Sequence, residues 1–258
     1  MKKCLIMGFG RSGTSLMAGM LFNAGYFLGD NLYPPRESNP TGFFENDLIN
    51  GINESILEPF DYFQGIQSCE PVTLLNSPYK PEYGQRWLSY LPTGTSIINH
   101  TLEVEIKIQK SLSVKNFAYK DPRFNYTLPV WKKFLSSDVQ IICLIRQPEI
   151  VAESVLKDCQ TANYLAHFFI TRALVYELWR NSYSHFLKNL QGIDKSRVIF
   201  IHYEQLLQGR VIDLLSEILE VQLNPSFIIP ALNRSKSTGQ IPEEVKSLYN
   251  KLCDFAKF

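Results

Sequence analysis

Glycines and hydroxyl-bearing residues are concentrated in one short segment near the start of the chain, where they can bind an anion. Gly8 and Gly13 are separated by four residues, and Thr14 and Ser15 follow the second glycine. Arg11 lies between the glycines and supplies a positive charge. In such a loop, successive backbone N–H groups and the positive end of the next helix cradle a phosphate or sulfate. The segment predicts an anion site, although a glycine-rich turn can also be purely structural.

The two glycines have the spacing of a Walker A loop, but the residues that bind a nucleoside triphosphate differ. A Walker A loop places a lysine after its second glycine to reach the β- and γ-phosphates, and the next Ser or Thr holds Mg²⁺. Thr14 stands where that lysine belongs, and the cation has moved to Arg11. This substitution argues against a kinase or NTPase.

The hydrophobic pattern predicts the elements that position this loop. Residues 3–7 predict a buried strand, and an apolar face of helical period over 16–24 predicts a helix that ends at Gly25. Further strands are predicted at 139–145 and 198–201, with a weaker candidate at 115–119. Strands that alternate with helices imply an α/β fold with a central parallel sheet flanked by helices.

The rest of the chain predicts helices and loops within a single domain, residues 1–258. Residues 30–44 are rich in Pro, Asn and Gly and predict an irregular loop, and 48–57 predict a second helix. A helical pattern of aromatic and aliphatic residues covers 165–190, and we expect it to belong to the core. No repeat or linker divides the sequence.

Residues 10–16, with the sequence GRSGTSL, resemble the 5′-phosphosulfate-binding loop of sulfotransferases, which use 3′-phosphoadenosine 5′-phosphosulfate (PAPS) as donor. Arg146, after a predicted strand, and Ser154, eight residues later on the next helix, resemble the 3′-phosphate site of that family. Three more segments resemble bacterial members: 39–46 (NPTGFFEN), 120–123 (KDPR) and 202–206 (HYEQL). The resemblance covers 4–206 in the expected order and implies a P-loop-like three-layer fold.

The resemblance also implies the cofactor and the residues that hold it. PAPS would be the donor and 3′,5′-diphosphoadenosine (PAP) the product, with no metal. The implied cofactor-binding residues are Gly10, Arg11, Ser12, Gly13, Thr14, Ser15, Arg146, Ser154 and Arg234. Arg234 belongs to a basic segment, 234–239, in a region where sulfotransferases often add a contact to the 3′-phosphate; a solvated loop is the alternative.

Catalysis needs a group that removes the proton of the acceptor hydroxyl and cations that stabilise the leaving phosphate. The candidate catalytic residues are Arg11, Glu45, His100 and Lys120. Glu45 is the favoured base because it opens the second helix, and related sulfotransferases place a catalytic Glu in that region; His100 is next. The alternatives are that Glu45 only caps the helix or pairs with Arg11, and that 120–123 form a salt-bridged turn. Glu37, Asp47 and Asp121 are further candidates for the base.

Composition excludes several other functions. The chain has 26 Lys and Arg residues against 25 Asp and Glu, and this net charge of +1 does not indicate nucleic-acid binding. Five scattered cysteines fit reduced thiols, and we expect a cytoplasmic protein without a signal peptide or membrane span.

The sequence thus predicts a PAPS-dependent sulfotransferase that acts on a hydroxyl, or less favourably an amine, of an acceptor. The partner would be a small molecule, a lipid or a carbohydrate with a free hydroxyl. A P-loop kinase or NTPase and a non-catalytic nucleotide-binding module are the alternatives. The sequence identifies neither the acceptor nor the oligomeric state.

Overall fold

A computed structural model describes residues 1–37, 39–60, 86–92, 94–95, 97–162, 165, 170–229 and 239–258. Four parallel strands form one sheet in the order β2-β1-β3-β4. The strands are β1 (Cys4–Met7), β2 (Ala118–Lys120), β3 (Gln140–Ile145) and β4 (Val198–His202). After β1, the chain therefore forms β2 on one side of it and then crosses over to form β3 on its other side. In open parallel sheets, this reversal of direction opens a ligand crevice at the carboxyl ends of the strands.

Helices cover both faces of this sheet. They are α1 (Thr14–Asn23), α2 (Asp47–Leu57), α3 (Leu102–Leu112), α4 (Phe124–Trp131), α5 (Pro148–Thr161), α6 (Arg172–Asn189), α7 (Tyr203–Leu207), α8 (Ile212–Leu219) and α9 (Glu243–Ala256). Short 3₁₀ helices lie at Glu58–Phe60, Arg86–Leu88, Lys195–Arg197 and Pro225–Phe227.

The alternation of side chains along each strand builds two hydrophobic cores. Leu5 and Met7 contribute to one core, and Cys4 and Ile6 contribute to the other. The first contains buried residues of α2, α4, α5 and α6, whereas the second contains those of α1 and α8. Because both faces are covered, the strands are almost wholly apolar. This confirms the predicted α/β fold with a parallel sheet between helices.

Most predicted elements are present with small changes in their ends. The strands predicted at 3–7, 139–145 and 198–201 are β1, β3 and β4, and the helix predicted at 48–57 is α2. The candidate at 115–119 is shifted toward Lys120, because Asn116 has a φ of +53°, a left-handed conformation that interrupts an extended strand.

The aromatic helix predicted at 165–190 is described from Arg172 onward, and residues 166–169 of that prediction lie outside the described residues. The described helix α6 spans Arg172–Asn189, and the Thr171 side chain caps it by accepting a hydrogen bond from the backbone N–H of Leu174. Tyr176, Trp179 and Phe186 are buried in the core as expected. Within the described parts of the chain, no helix is long and apolar enough to cross a membrane.

Candidate active site

The predicted anion-binding loop connects β1 to α1, and its backbone requires glycine at both ends. Gly8 has a φ of +141°, and a Cβ atom there would lie 2.4 Å from the carbonyl oxygen of Leu144 in β3. Gly13 has a φ of +93°, and its Cβ would lie 2.4 Å from the ring of Tyr203. The loop therefore fits closely against the ends of β3 and β4.

The end of this loop presents backbone donors in the way an anion site needs. Helix α1 begins at Thr14, so the N–H groups of Thr14 and Ser15 belong to its first turn. The first N–H groups of a helix have no intrahelical acceptor and carry the positive end of its dipole. Gly10, earlier in the loop, packs against the ring of Trp87.

Arg11 joins the loop to helix α5. Its backbone has a φ of +68°, and its Nε donates a hydrogen bond of 2.9 Å to Ser154 Oγ. The same Nε lies 3.2 Å from Oδ2 of Asp158, a buried carboxylate one helical turn after Ser154. Burial raises the pKa of Asp158, and the charge of Arg11 acts in the opposite direction. The structure thus brings two predicted site residues, Arg11 and Ser154, into direct contact.

Arg146 follows β3 and lies beside the loop. Its Nη1 donates a hydrogen bond of 3.1 Å to the backbone carbonyl of Arg11, and its guanidinium carbon lies 4.2 Å from the ring centre of Tyr203. Burial lowers the pKa of Arg146, with Tyr203 acting against it, but an arginine of a protein stays charged at neutral pH. Arg146 therefore brings a second fixed cation to the same edge of the sheet.

Tyr183 of α6 joins the loop to the end of β3 through its hydroxyl group. Tyr183 Oη donates a hydrogen bond of 2.6 Å to Leu144 O, accepts one of 3.2 Å from Phe9 N and lies 3.3 Å from Ser12 Oγ. Burial raises the pKa of this phenol, so it remains neutral. Ser12 is fully buried, so its side chain packs beneath the loop against Tyr183 and does not face solvent.

Glu45 lies beside the end of β2 and is held by two side chains. Lys120 Nζ, at the end of β2, forms an ion pair and hydrogen bond with Glu45 Oε1. Asn50 Nδ2, in the first turns of α2, donates a hydrogen bond of 2.8 Å to Glu45 Oε2. Burial by itself would raise the pKa of Glu45, but Lys120 and Arg123 outweigh it and hold that pKa below the usual value. Glu45 is therefore ionised at neutral pH and can accept a proton.

The segment after Lys120 forms a buried salt-bridged turn, the alternative that the sequence left open. Arg123 Nη1 lies 2.8 Å from Asp121 Oδ1, and Arg123 Nε pairs with Glu54 Oε1. Arg86 Nη1 lies 2.6 Å from Glu54 Oε2. These four side chains are almost wholly buried. Arg123 thus links the end of β2 to α2, and Glu54 in turn links α2 to the segment that carries Trp87.

His100 is not brought to this edge. The ring of His100 packs edge-on against Phe134, which follows α4 and precedes β3, and its Nε2 lies 3.6 Å from Glu105. This position is at the amino-terminal edge of the sheet, opposite the glycine loop. Arg234 lies outside the described residues.

Sequence reasoning missed several residues that hold this site. Asp158 follows Ser154 by one helical turn, so its approach to Arg11 could have been inferred from that spacing.

The other missed residues carry no such signal in the sequence. Tyr203 lies in the segment 202–206 but is linked to Arg146 only by the fold. Asn50 and Glu54 lie on α2 among apolar residues, and nothing in the local pattern distinguishes them from solvent-facing polar positions.

The arrangement combines a backbone cradle, two cations and a carboxylate at one edge of the sheet. The glycines let the loop pack closely against Leu144, Trp87 and Tyr203, and Arg11 and Arg146 supply positive charge beside the loop. Glu45 lies near the end of β2, the neighbour of β1 in the sheet. Such an arrangement can hold a doubly phosphorylated nucleotide and take up a proton beside it.

Three solved structures with the same fold are sulfotransferases of low sequence identity. The sulfotransferase domain of the Synechococcus PCC 7002 olefin synthase is 19% identical with a TM-score of 0.52, and the match covers 97% of this chain and 94% of that one. The sulfotransferase domain of the curacin biosynthetic pathway is 17% identical with a TM-score of 0.52, over 100% and 98% of the two chains. Sulfotransferase STF9 from Mycobacterium avium is 14% identical with a TM-score of 0.52, over 98% and 76%.

The family of the chain is shown by its sequence. A comparison with curated proteins gave no significant match. The model of the sulfotransferase family (Sulfotransfer_3), however, matches residues 4–214, which include the glycine loop, Glu45, Lys120, Arg146 and Ser154. The chain therefore belongs to the sulfotransferase family, whose members are PAPS-dependent enzymes.

Proposed function

We propose that this protein transfers the sulfuryl group of PAPS to a hydroxyl of its acceptor, without a metal ion. One observation carries the proposal: the two predicted anion sites, the glycine loop and the pair Arg146 and Ser154, are in direct contact through Arg11. A nucleotide with a 5′-phosphosulfate and a 3′-phosphate needs two such sites close together. A ligand with a single phosphate group would use only one of them.

We call residues 8–15, Arg146 and Ser154 the nucleotide half of the site. The N–H groups of the loop and Arg11 bind the 5′-phosphosulfate, and Arg146 and Ser154 bind the 3′-phosphate. Helix α1 directs the positive end of its dipole at the 5′ group. Arg11 stabilises the negative charge that develops on the departing phosphate.

We call Glu45, Asn50 and Lys120 the acceptor half. Glu45 accepts the proton of the acceptor hydroxyl as its oxygen forms a bond to sulfur and the bond between sulfur and the phosphate oxygen breaks. The electron pair of the broken bond stays on the phosphate oxygen of the departing PAP. Lys120 either remains paired with the Glu45 carboxylate or turns its charge toward this phosphate. His100 takes no part in this scheme, because the glycine loop lies at the opposite edge of the sheet.

Two features favour this function over the alternatives. Thr14 replaces the lysine that a kinase or NTPase uses to reach the β- and γ-phosphates. A purely nucleotide-binding module would not need an ionised, partly exposed carboxylate beside the crevice, as Glu45 provides with 14% of its side chain exposed. Since a sulfuryl group carries less negative charge than a γ-phosphoryl group, Arg11 can replace both lysine and metal.

The test is a thermal-shift panel with PAP, ATP, GTP and AMP, followed by turnover of PAPS in EDTA. We expect PAP to raise the melting temperature far more than the other three nucleotides, and sulfated product to form in the presence of EDTA. Equal shifts with PAP and AMP would refute the 3′-phosphate site. Turnover that stops in EDTA and returns with Mg²⁺ would refute the metal-free mechanism.

A further inference from the structure

We propose that Asn50 is a second binding group for the acceptor, and that the acceptor carries another hydroxyl next to the one that is sulfated. This inference rests on the proposed function, because it places the acceptor at Glu45. It narrows the acceptor to a 1,2-diol, as in polyols and sugars, rather than an isolated hydroxyl on a hydrocarbon skeleton.

Three buried asparagines, the cap Asn46 and Asn50 and Asn53 within α2, differ in one respect. The Oδ1 atom of Asn46 accepts hydrogen bonds from Leu48 N and Ile49 N, at 2.7 and 3.2 Å. The Oδ1 atom of Asn53 accepts from Thr127 Oγ1 and Trp131 Nε1, both at 2.8 Å. The Oδ1 atom of Asn50 is buried and has no hydrogen-bond partner among the described residues.

The orientation of the Asn50 amide is fixed by its neighbour. Glu45 is ionised and its carboxylate can only accept hydrogen bonds, so the NH₂ group of Asn50 faces Glu45 Oε2. Turning the amide over would place its carbonyl oxygen against a carboxylate oxygen. The remaining carbonyl oxygen must therefore obtain its donor from another group.

A buried hydrogen-bond acceptor that lacks a donor destabilises the folded protein, and a bound ligand can supply that donor. A buried polar group without a partner destabilises a protein by about 1–3 kcal/mol, and native proteins keep few of them. Asn50 is only 4% exposed, but Glu45 beside it keeps part of its surface open. The molecule that receives the sulfuryl group therefore reaches Glu45 and Asn50 from the side of Glu45.

The distances fit two adjacent hydroxyls. Asn50 Nδ2 lies 2.8 Å from Glu45 Oε2, and Oδ1 belongs to the same small amide group. The two acceptor atoms, Glu45 Oε2 and Asn50 Oδ1, are thus within two hydrogen-bond lengths of each other. One hydroxyl of a 1,2-diol can donate to Glu45 and lose its proton, while the neighbouring hydroxyl donates to Asn50 Oδ1.

The experiment compares matched acceptors in the unmodified protein and in Asn50→Leu, which keeps the number and branching of the side-chain heavy atoms but has no polar atom. The probes are cyclohexanol against cis-1,2-cyclohexanediol and 1-octanol against 1,2-octanediol. Their turnover with PAPS is measured by mass spectrometry, and their binding to the PAP-saturated protein by ligand-observed NMR. The ratio of diol to monoalcohol is the readout, because loss of the Asn50 hydrogen bond to Glu45 affects both probes equally and cancels.

We expect the unmodified protein to favour the diols roughly tenfold, as one additional hydrogen bond allows, and Asn50→Leu to treat both members of a pair alike. Ser55→Ala, at an exposed position of the same helix, should keep the preference. Equal binding and turnover of the two members in the unmodified protein, or a preference that persists in Asn50→Leu, would overturn the inference. PAP should stabilise both proteins equally; if it does not stabilise even the unmodified protein, the proposed function fails and this inference with it.

Discussion

The two halves of the site are held in different ways. The nucleotide half consists of the glycine loop, Arg146 after β3 and Ser154 on α5. The geometry of its loop depends on backbone conformation: positive φ angles at Gly8, Arg11 and Gly13 and a close approach to Leu144. The acceptor half depends on side chains from the segment before α2, from α2 itself and from the end of β2, joined by an ion pair and an amide hydrogen bond. The conformation of the glycine loop is set by local sequence, although Arg146 and Ser154 reach it from distant segments. The pair of Glu45 and Lys120 in the acceptor half depends entirely on a contact between distant segments.

This difference gives the two halves different sensitivities to mutation. A backbone-determined loop is disrupted by any Cβ atom where there is no space, whatever its chemistry. A buried network of charges is disrupted when one partner is removed, because the charge that remains has lost its compensation. We therefore expect changes in the acceptor half and its supporting network to affect stability or turnover, and changes in the nucleotide half to affect nucleotide affinity.

The largest expected effect is on stability, at the network that supports the acceptor half. Arg123→Leu leaves Asp121 and Glu54 buried without the guanidinium that both contact, and should lower the free energy of unfolding by about 3–5 kcal/mol. Urea denaturation measures this. The control is Lys107→Ala, which breaks the exposed pair with Glu103 and should change nothing measurable. A small loss in Arg123→Leu would show that the buried network does not hold the acceptor half.

The next effect is on the backbone of the nucleotide half. Gly8→Ala would place a Cβ atom 2.4 Å from the carbonyl oxygen of Leu144 at a φ that L side chains rarely adopt. We expect PAP binding by calorimetry to be lost. The matched control is Gly51→Ala in α2, where a Cβ has open space and alanine should stabilise the helix by about 0.5–1 kcal/mol. PAP affinity retained in Gly8→Ala would mean that the loop tolerates displacement from β3.

The two halves also differ in how far the sequence predicts them. The glycine loop, Arg146 and Ser154 lie at the ends of elements with clear hydrophobic patterns, so their meeting at one edge of the sheet could be predicted. The position of His100 could not, because it depends on how the segment before α3 packs against Phe134. The pairing of Lys120 with Glu45, 75 residues apart in the chain, likewise depends on tertiary packing.

A third prediction separates the two phosphate contacts within the nucleotide half. Arg146→Ala removes a cation from the proposed 3′-phosphate site, so PAP should lose roughly 10–150-fold in affinity while AMP changes little. Because Arg146 also contacts the loop carbonyl and Tyr203, Arg146→Lys serves as the conservative variant that keeps the charge. A loss of PAP and AMP affinity in equal measure would assign Arg146 to the support of the loop instead.

A smaller effect is expected at Ser154. Ser154→Ala removes one hydroxyl that contacts Arg11 and, in the proposal, the 3′-phosphate, so PAP affinity should fall roughly 2–12-fold. Lys157→Ala, at an exposed position of the same helix, removes a positive charge without a contact to the loop and should leave PAP affinity nearly unchanged. Larger losses in Lys157→Ala than in Ser154→Ala would indicate a general electrostatic effect of α5.

The most direct test of the division between the halves is to measure PAP affinity and kcat together in Glu45→Gln. The variant keeps the shape of Glu45 and an oxygen that can accept from Asn50, but its amide cannot take up the proton of the acceptor. We predict that PAP affinity stays at the level of the unmodified protein and that kcat falls about 10²-fold or more, once a sulfated acceptor is in hand. A large loss of PAP affinity, or full activity, would contradict the assignment of Glu45 as the base of an acceptor half distinct from the nucleotide half.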